Sequence, residues 1–400
     1  MKKRFIRITH SFRRMIPNLK LCLIISAALT MVYLYLITFF AETPNYCPLT
    51  WPENQTRDIR KLIRPTENTF NLIPTNVCDG DKNHLLLLIV VTSAINNFDN
   101  RQAIRESWGK ELKEYDSKVK MIFLVGEESS NYADIQQNIV IESDQHRDIL
   151  QASFTESYYN LTIKSLNMLK WFSETCQKQN YEYLMKVDDD VYINIDQVYD
   201  LIIENTHPNI LTGFIHCGIM AQTEGKSCLP PFMLTGYDKN YWLYRLIGVH
   251  WYPNYLAGPA YLMSKSTADI LYKTAMTVPA LHMEDVYVTG MLPSFYNQAG
   301  HLQNTKHSIM PFINDQNSQR RSVDQVHPIG DERFNIQKVE LDPCKYANLI
   351  SSHDLNHTEM TKIHKLITDL RETPDYKRNI CSNYSAKKEK ISCFWDMDIF

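Results

Sequence analysis

Glycine is scarce in this chain, 12 among 400 residues, which excludes collagen-like and glycine-rich low-complexity architectures. Charge is modest too. Charged residues make up 22% against 44% hydrophobic, which excludes a disordered chain and a nucleic-acid-coating one. No Cys-x-x-Cys pair occurs among the nine cysteines, so a structural zinc site is not expected. No internal repeat is found. The length admits one large domain or two ordinary ones.

The formal charge of −3 averages unlike parts. Residues 1–20 carry Lys2, Lys3, Arg4, Arg7, Arg13, Arg14 and Lys20 and no acidic residue. Without these seven, 35 basic side chains face 45 acidic ones, a charge of −10 over residues 21–400. Residues 21–41 contain no charged side chain. As a helix that stretch spans about 31 Å, close to the hydrocarbon thickness of a bilayer. A cleavable signal peptide would have a shorter apolar region and small residues at its end, where Phe39 stands two before Ala41. The reading is a type II single-pass signal-anchor at 21–41, with residues 1–20 cytoplasmic and everything after it lumenal.

Cysteines and sequons agree with that orientation. Cys22 is in the span, and the other eight (Cys47, Cys78, Cys176, Cys217, Cys228, Cys344, Cys381 and Cys393) follow it, an even number suited to disulfides. The N-glycosylation acceptors Asn54, Asn160, Asn356 and Asn383 also follow it.

Residues 42–82 hold Pro44, Pro48, Pro52, Pro65 and Pro74 without apolar periodicity, which reads as an extended lumenal stem. From 83 to about 340 the texture is that of a folded domain. Leu85–Ser93, Lys118–Val125, Tyr183–Val187 and Ile210–Ile215 read as strands; Arg101–Trp108, Leu161–Thr175 and Ile195–Asn205 read as helices. Alternating strands and helices imply an α/β fold around a mainly parallel sheet, with ligands at the carboxyl ends of its strands. Residues 341–400, with three cysteines and a helical stretch near Glu359–Leu370, read as a disulfide-tied C-terminal extension.

Four constellations carry chemistry. Lys186-Val187-Asp188-Asp189-Asp190 puts three carboxylates directly after a buried strand, where oxygen ligands attract Mg²⁺ or Mn²⁺. The bland alternative is a solvated acidic turn. A calcium loop fails, since Ile193 stands where such a loop requires glycine. Glu284-Asp285 follows the apolar stretch Val278–Met283, a context that perturbs a carboxyl pKa or simply complements a helix N-terminus. Arg101 and Arg105, four apart on one helix face, reach either a diphosphate or surface ion pairs. Trp251 to Tyr261, including Tyr255 and Gly258, packs aromatics around a Gly-Pro turn, for sugar stacking or ordinary core.

In order, RQAIRESWG (Arg101–Gly109), FLVG (Phe123–Gly126), the run from Asp148 through TESYYNLTIKSL, YLMKVDDDVYIN (Tyr183–Asn194), YPNYLAGPAYLMS (Tyr252–Ser264) and EDVYVTG (Glu284–Gly290) resemble the inverting β-1,3-glycosyltransferases, distant relatives of Fringe. The likeness runs from about Leu85 to Gly300. Two departures stand out. Gly258-Pro259-Ala260-Tyr261 replaces a frequent Gly-x-Gly-Tyr, and one extra residue separates Asp285-Val286-Tyr287 from Gly290.

The resemblance implies a GT-A type, Rossmann-like domain that binds a UDP-sugar with Mn²⁺ in the Golgi membrane. It would transfer galactose or an N-acetylhexosamine to a glycan acceptor on glycolipid or glycoprotein in β-1,3 linkage. It implies that Asp188 lies near the ribose and also serves the metal, that Asp190 binds the metal, and that Asp189 supports the site. Lys186, Arg101 and Arg105 would be on the donor side, and Tyr255, Gly258 and Tyr261 in the sugar pocket. Asp285, or alternatively Glu284, would be the base. Apart from the resemblance, His301 and His307 are the candidate histidines for completing the metal site, a question the sequence leaves open. Two other classes compete. A lumenal glycoside hydrolase using Glu284 or Asp285 leaves the Lys-x-Asp-Asp-Asp strand unexplained. A non-catalytic lectin-like ectodomain leaves a metal site paired with a base unexplained.

Overall fold

The computed structural model describes residues 30–32, 56–75, 77–78, 86–115, 118–128, 133–176, 181–205, 207–217, 252–304, 325–372, 381 and 390–391. By compactness the chain divides into two units. One, Met1–Thr50 with Ala221–Tyr237, has only residues 30–32 among those described. The other, Trp51–Met220 with Asp238–Phe400, holds everything that follows. The span expected at 21–41 lies outside the described residues apart from 30–32, and no described helix is long and apolar enough to cross a membrane. Asn54, Asn383, His307 and the side chain of His301 also lie outside them.

The elements are α1 (Ile59–Ile63), β1 (Phe70–Leu72), β2 (Leu87–Thr92), α2 (Phe98–Glu106), α3 (Trp108–Glu111), β3 (Val119–Glu127), α4 (Ala133–His146), β4 (Ile149–Thr155) and α5 (Leu161–Thr175). Then come β5 (Tyr183–Asp188), β6 (Tyr192–Ile193), α6 (Ile195–Glu204), β7 (Leu211–His216), β8 (Tyr255–Ser264), α7 (Lys265–Ala275), a π-helical turn (Val286–Met291) and α8 (Leu292–Asn304). The last are β9 (Ile329–Asp331), β10 (Phe334–Asn335), α9 (Pro343–Asn348), β11 (Ser351–Ser352), α10 (His357–Arg371) and β12 (Lys390–Ile391).

Nine described strands form one sheet in the order β1-β4-β3-β2-β5-β8-β7-β9-β12. The strands β4, β3, β2 and β5 run parallel. The sheet is mixed rather than mainly parallel, because β8 lies antiparallel between β5 and β7 and both edge strands, β1 and β12, are antiparallel too. A second sheet of three short strands runs β10-β11-β6.

The central strand β2 is buried along its whole length, so its alternation serves two cores. Leu88 and Val90 pack with Leu166 and Leu169 of α5 on one face; Leu87, Ile89 and Val91 pack with Trp108, Ile195 and Ile363 on the other. Helix α5 is buried around almost its whole circumference, polar side chains included. Its two lysines find partners, as burial requires, while Ser173 Oγ and Trp171 Nε1 have no hydrogen-bond partner among the described residues. Lys164 Nζ lies 2.6 Å from Glu156 Oε1 and donates to Ser93 O at 2.8 Å, while Lys170 Nζ donates to the carbonyls of Ile63, Arg64 and Glu67.

Segments on both sides of residues 83–340 pack against them. The segment read as stem enters the fold at residue 57: Ile59 and Ile63 are buried, Lys170 caps the end of α1, β1 pairs with β4, and Arg57 Nε donates to Ala280 O. Short apolar segments between prolines escape a periodicity test, yet they cover one side of α5. Likewise the segment after 340 is no appendage. Tyr346, Ile350, Leu355, Met360, Ile363 and Ile367 share a core with β2, β5 and α2. Disulfides join Cys78 to Cys176 and Cys344 to Cys381.

Candidate active site

The three aspartates face three different environments, because they follow a strand and then turn. Asp188 closes β5 and pairs in register with Thr92 at the end of β2. Its Oδ1 accepts from Thr92 Oγ1 and Lys186 Nζ, both at 2.6 Å. Asp189 points the other way into the protein, where its Oδ2 accepts from Ser93 Oγ at 2.6 Å and Asn97 Nδ2 at 2.9 Å. Burial pushes its carboxyl above the ordinary range, against those two hydrogen bonds. Asp190 is partly exposed. Its main-chain carbonyl accepts from Leu355 N, and its Oδ2 lies 3.3 Å from His353 Nε2. Its Oδ1 is buried without a hydrogen-bond partner among the described residues.

His353 is the residue that sequence reading missed. The small sheet delivers it: β6, directly after the aspartates, pairs antiparallel with β11, and His353 follows β11. The imidazole is oriented by its other nitrogen, 3.2 Å from Ile336 O. Its hydrogen bond to Asp190 holds it above the usual histidine range, against burial. Nothing in the spacing between positions 190 and 353 announces this contact.

The second carboxylate pair joins the same site through one lysine. Lys186 Nζ also donates to Gly258 O at 2.5 Å. A Cβ placed on Gly258 would lie 3.8 Å from both Glu284 Oε2 and Asp285 Cβ. Burial draws the Lys186 ammonium down, but Asp188, Glu284 and Asp285 outweigh it and hold it above its usual range.

Glu284 and Asp285 differ in access. Glu284 is buried and its Oε1 accepts from Tyr261 Oη at 2.6 Å; burial raises its pKa, with Lys186 and Tyr261 opposing. Asp285 is only partly buried, and its Oδ1 accepts from Val286 N at 2.8 Å. Burial raises its pKa too, while that amide, Lys186 and His216 oppose. Tyr261 is therefore a buried hydrogen-bond donor to Glu284, inside the core rather than open to a sugar. Tyr255 is buried, stacked 5.0 Å from His216, and pushed up to about 12 by burial and then by Asp285.

The arginines expected on the donor side are engaged inside the protein. Arg101 is fully buried. Its Nε and Nη2 donate to Glu142, Nη1 to Ser93 Oγ and Ala94 O, and Nη2 also to Ile95 O. Arg105 is bidentate to Asp148, 2.8 Å from Glu142 and stacked over Phe123. Their donors are spent on an internal network. Arg101 still serves the site indirectly, because the Ser93 hydroxyl it holds is the one that donates to Asp189.

Of the described sequons, Asn160 Nδ2 donates to Thr155 O at 2.8 Å and Thr162 Oγ1 donates to Leu281 O. Asn356 is exposed and caps α10, with its Oδ1 accepting from Thr358 N and Glu359 N.

An aspartate cluster after a parallel strand and a second carboxylate pair at a helix start thus meet around Lys186 and Gly258, and comparison with known proteins supplies the class. Residues 99–297 match the model of the galactosyltransferase family. Beta-1,3-galactosyltransferase 1 of Mus musculus is 29% identical over 305 residues, 75% of this chain and 79% of that protein; the Homo sapiens protein of that name matches equally. Beta-1,3-galactosyltransferase 2 of Homo sapiens is 26% identical over 309 residues, 76% of this chain and 62% of that protein. Among solved structures, S. aureus TarS is 15% identical with a TM-score of 0.27 over 53% of this chain and 55% of that one, too distant to carry an argument.

The chain is therefore a hexosyltransferase. Residues 99–297 form a galactosyltransferase-family domain, as the six motifs imply. The matched segment contains Asp188 to Asp190, Gly258, Glu284 and Asp285; His353 lies beyond it.

Proposed function

We propose that this protein is an inverting, metal-assisted β-1,3-hexosyltransferase of the Golgi membrane, with a GT-A type head in the lumen. It moves galactose or an N-acetylhexosamine from a UDP-sugar to a glycan hydroxyl. The observation that carries the reading is the bridge from Asp188 through Lys186 to Gly258, beside Glu284 and Asp285. It joins the aspartate cluster and the candidate base into one site.

A divalent metal fits here, because Asp190 offers a buried oxygen lacking any described partner. Asp190 and His353 would hold the ion. Among the described residues no group of three or more His, Cys, Asp or Glu side chains is placed to hold a metal ion. When bound, such an ion neutralises the charge of a departing diphosphate.

The protein's own residues supply the rest. Asp285, the more accessible carboxylate, accepts the acceptor hydroxyl's proton while that oxygen bonds to the anomeric carbon and the carbon–oxygen bond to UDP breaks. Direct attack from the opposite face inverts the anomeric configuration. Glu284, tied to Tyr261, shapes the field around Asp285. Lys186 compensates both carboxylates and Asp188.

The seven-cation leader and charge-free stretch at 21–41 support the anchor; the disulfides found among the described residues suit an oxidising lumen.

The test is UDP release by residues 42–400 from UDP-galactose, UDP-N-acetylglucosamine and UDP-N-acetylgalactosamine, with several saccharide acceptors and either Mn²⁺ or EDTA. Metal-dependent, acceptor-dependent turnover of one donor is expected. No turnover across the whole panel overturns the reading.

A further inference from the structure

The helix that begins at Glu284 widens into a π turn over Val286–Met291, where Leu292 N–H bonds the Tyr287 carbonyl five residues back. Such turns interrupt α-helices and recur at functional sites. Inside this one Thr289 is fully buried. Its Oγ1 accepts from Leu256 N–H at 2.8 Å and lies 2.6 Å from the main-chain oxygen of Asp285 and 3.2 Å from that of Leu256. A hydroxyl has one proton, and the shorter contact places it on Asp285 O.

Thr289 thus joins two chain segments that meet only at the site. One is the start of the helix bearing Glu284 and Asp285. The other is the beginning of β8, two residues before Gly258. The register of β7 against β8 shifts between Gly213 and Ile215, and beyond the shift Ile215 and His216 pair with Leu256 and Tyr255. The next residue closes the joint: a Cβ on Gly290 would come within 2.9 Å of Tyr255 Cβ and 3.2 Å of Pro253 Cγ. Backbone against side chain on one side and a hydroxyl clamp on the other leave the turn a single seat.

We propose that Thr289 is a positioning residue for transfer: its hydroxyl sets where the Asp285 carboxylate stands relative to Gly258, Lys186 and Asp188. The inference rests on the reading of Asp285 as the base. A misplacement of about 1 Å at a reacting group costs on the order of 100-fold in rate. The donor side, built on β5 and β11, is not held by this clamp, so donor binding should not feel its loss.

The experiment compares Thr289→Val, Thr289→Ser, Thr289→Cys and Asp285→Asn in the full chain. It reads kcat on the best donor and acceptor pair, UDP affinity with Mn²⁺ by calorimetry, and thermal melting. Thr289→Val is expected to lose about 100-fold in kcat with UDP affinity unchanged. Thr289→Ser, which keeps the hydroxyl, should stay within about threefold of the parent, and Thr289→Cys, a weaker donor, should fall between. If Val does not fold, the Ser-over-Cys order still decides. Equal kcat for Ser and Cys, an unimpaired Val variant, or joint loss of kcat and UDP affinity overturns the proposal. Those outcomes with an inactive Asp285→Asn leave the functional reading standing; an Asp285→Asn variant with parental turnover removes the base, and this inference with it.

Discussion

His353 Nε2 lies 3.3 Å from Asp190 Oδ2, although the histidine belongs to a segment that looked like an appendage. The contact is built by strand pairing: Ser351 and Ser352 of β11 lie opposite Ile193 and Tyr192 of β6, and Leu355 N donates to Asp190 O. The backbone on both sides of the contact is thus fixed before either side chain acts.

His353→Ala should raise the Mn²⁺ concentration needed for half-maximal turnover by at least about 10-fold, since even outer partners of a metal ligand are worth that much. Asp190→Ala should be worse. A His353→Ala enzyme that titrates with Mn²⁺ like its parent would remove the histidine from the metal site.

Glu284 and Asp285 should separate in kinetics. Asp285→Asn is expected to lose about 10² to 10⁴ in kcat, the usual worth of a general base, while UDP still binds. Glu284→Gln keeps an acceptor for Tyr261 Oη and loses only charge, so a fall on the order of 10-fold is expected. The reverse ranking in steady-state kinetics would make Glu284 the base.

The pH profile follows from burial. Asp285 sits above the ordinary aspartate range because burial disfavours its charged form more than Val286 N–H, Lys186 and His216 favour it. A base works ionised, so kcat/KM should fall as pH drops through that raised pKa, at higher pH than an ordinary aspartate would give. An acid limb at the pKa of a free aspartate, measured with substrate well below KM, would contradict a base whose pKa partial burial raises.

Arg101 should matter for stability rather than donor affinity. Arg101→Met leaves Glu142 short of a partner in a buried site, a loss of about 3 kcal/mol or more in denaturant unfolding. Burial pushes Glu142 up, yet Arg101 and Arg105 outweigh it and hold the carboxyl below its usual range. That part of the stability is present at neutral pH and is lost as pH falls through the lowered pKa; in Arg101→Met the acid sensitivity should shrink. UDP affinity of the folded variant should be parental. A selective loss of UDP affinity would return Arg101 to the donor.

Much of the scaffold was legible because its signals are local. The strands at Leu87–Thr92, Val119–Glu127 and Tyr183–Asp188 are apolar runs, and the helices Leu161–Thr175 and Ile195–Glu204 carry their period in the sequence. The antiparallel β8 was not legible, since a strand's direction depends on the partner it finds. Nor were the edges of the domain, because α1 and β1 are too short to show a period.

Residue chemistry was legible by type, and residue environment was not. Asp188, Asp189 and Asp190 read as one acidic cluster, yet one is tied to Lys186, one is buried under Ser93 and Asn97, and one keeps beside His353 an oxygen with no hydrogen-bond partner among the described residues. Arg101 and Arg105 have the reach for a diphosphate, and Glu142 and Asp148 claim them first. The extra residue ahead of Gly290 stood out as a spacing; its structural form, a π turn clasped by Thr289, appears only in the fold.

By itself the sequence determined the family, the alternating α/β pattern and the carboxylates available for chemistry, because these depend on neighbours along the chain. The tertiary structure decided which carboxylate is accessible, which arginine is spent, and that a histidine from beyond the family-matched segment faces Asp190. Those facts depend on burial and on pairing between distant strands, where one buried charge or one register shift outweighs any local preference.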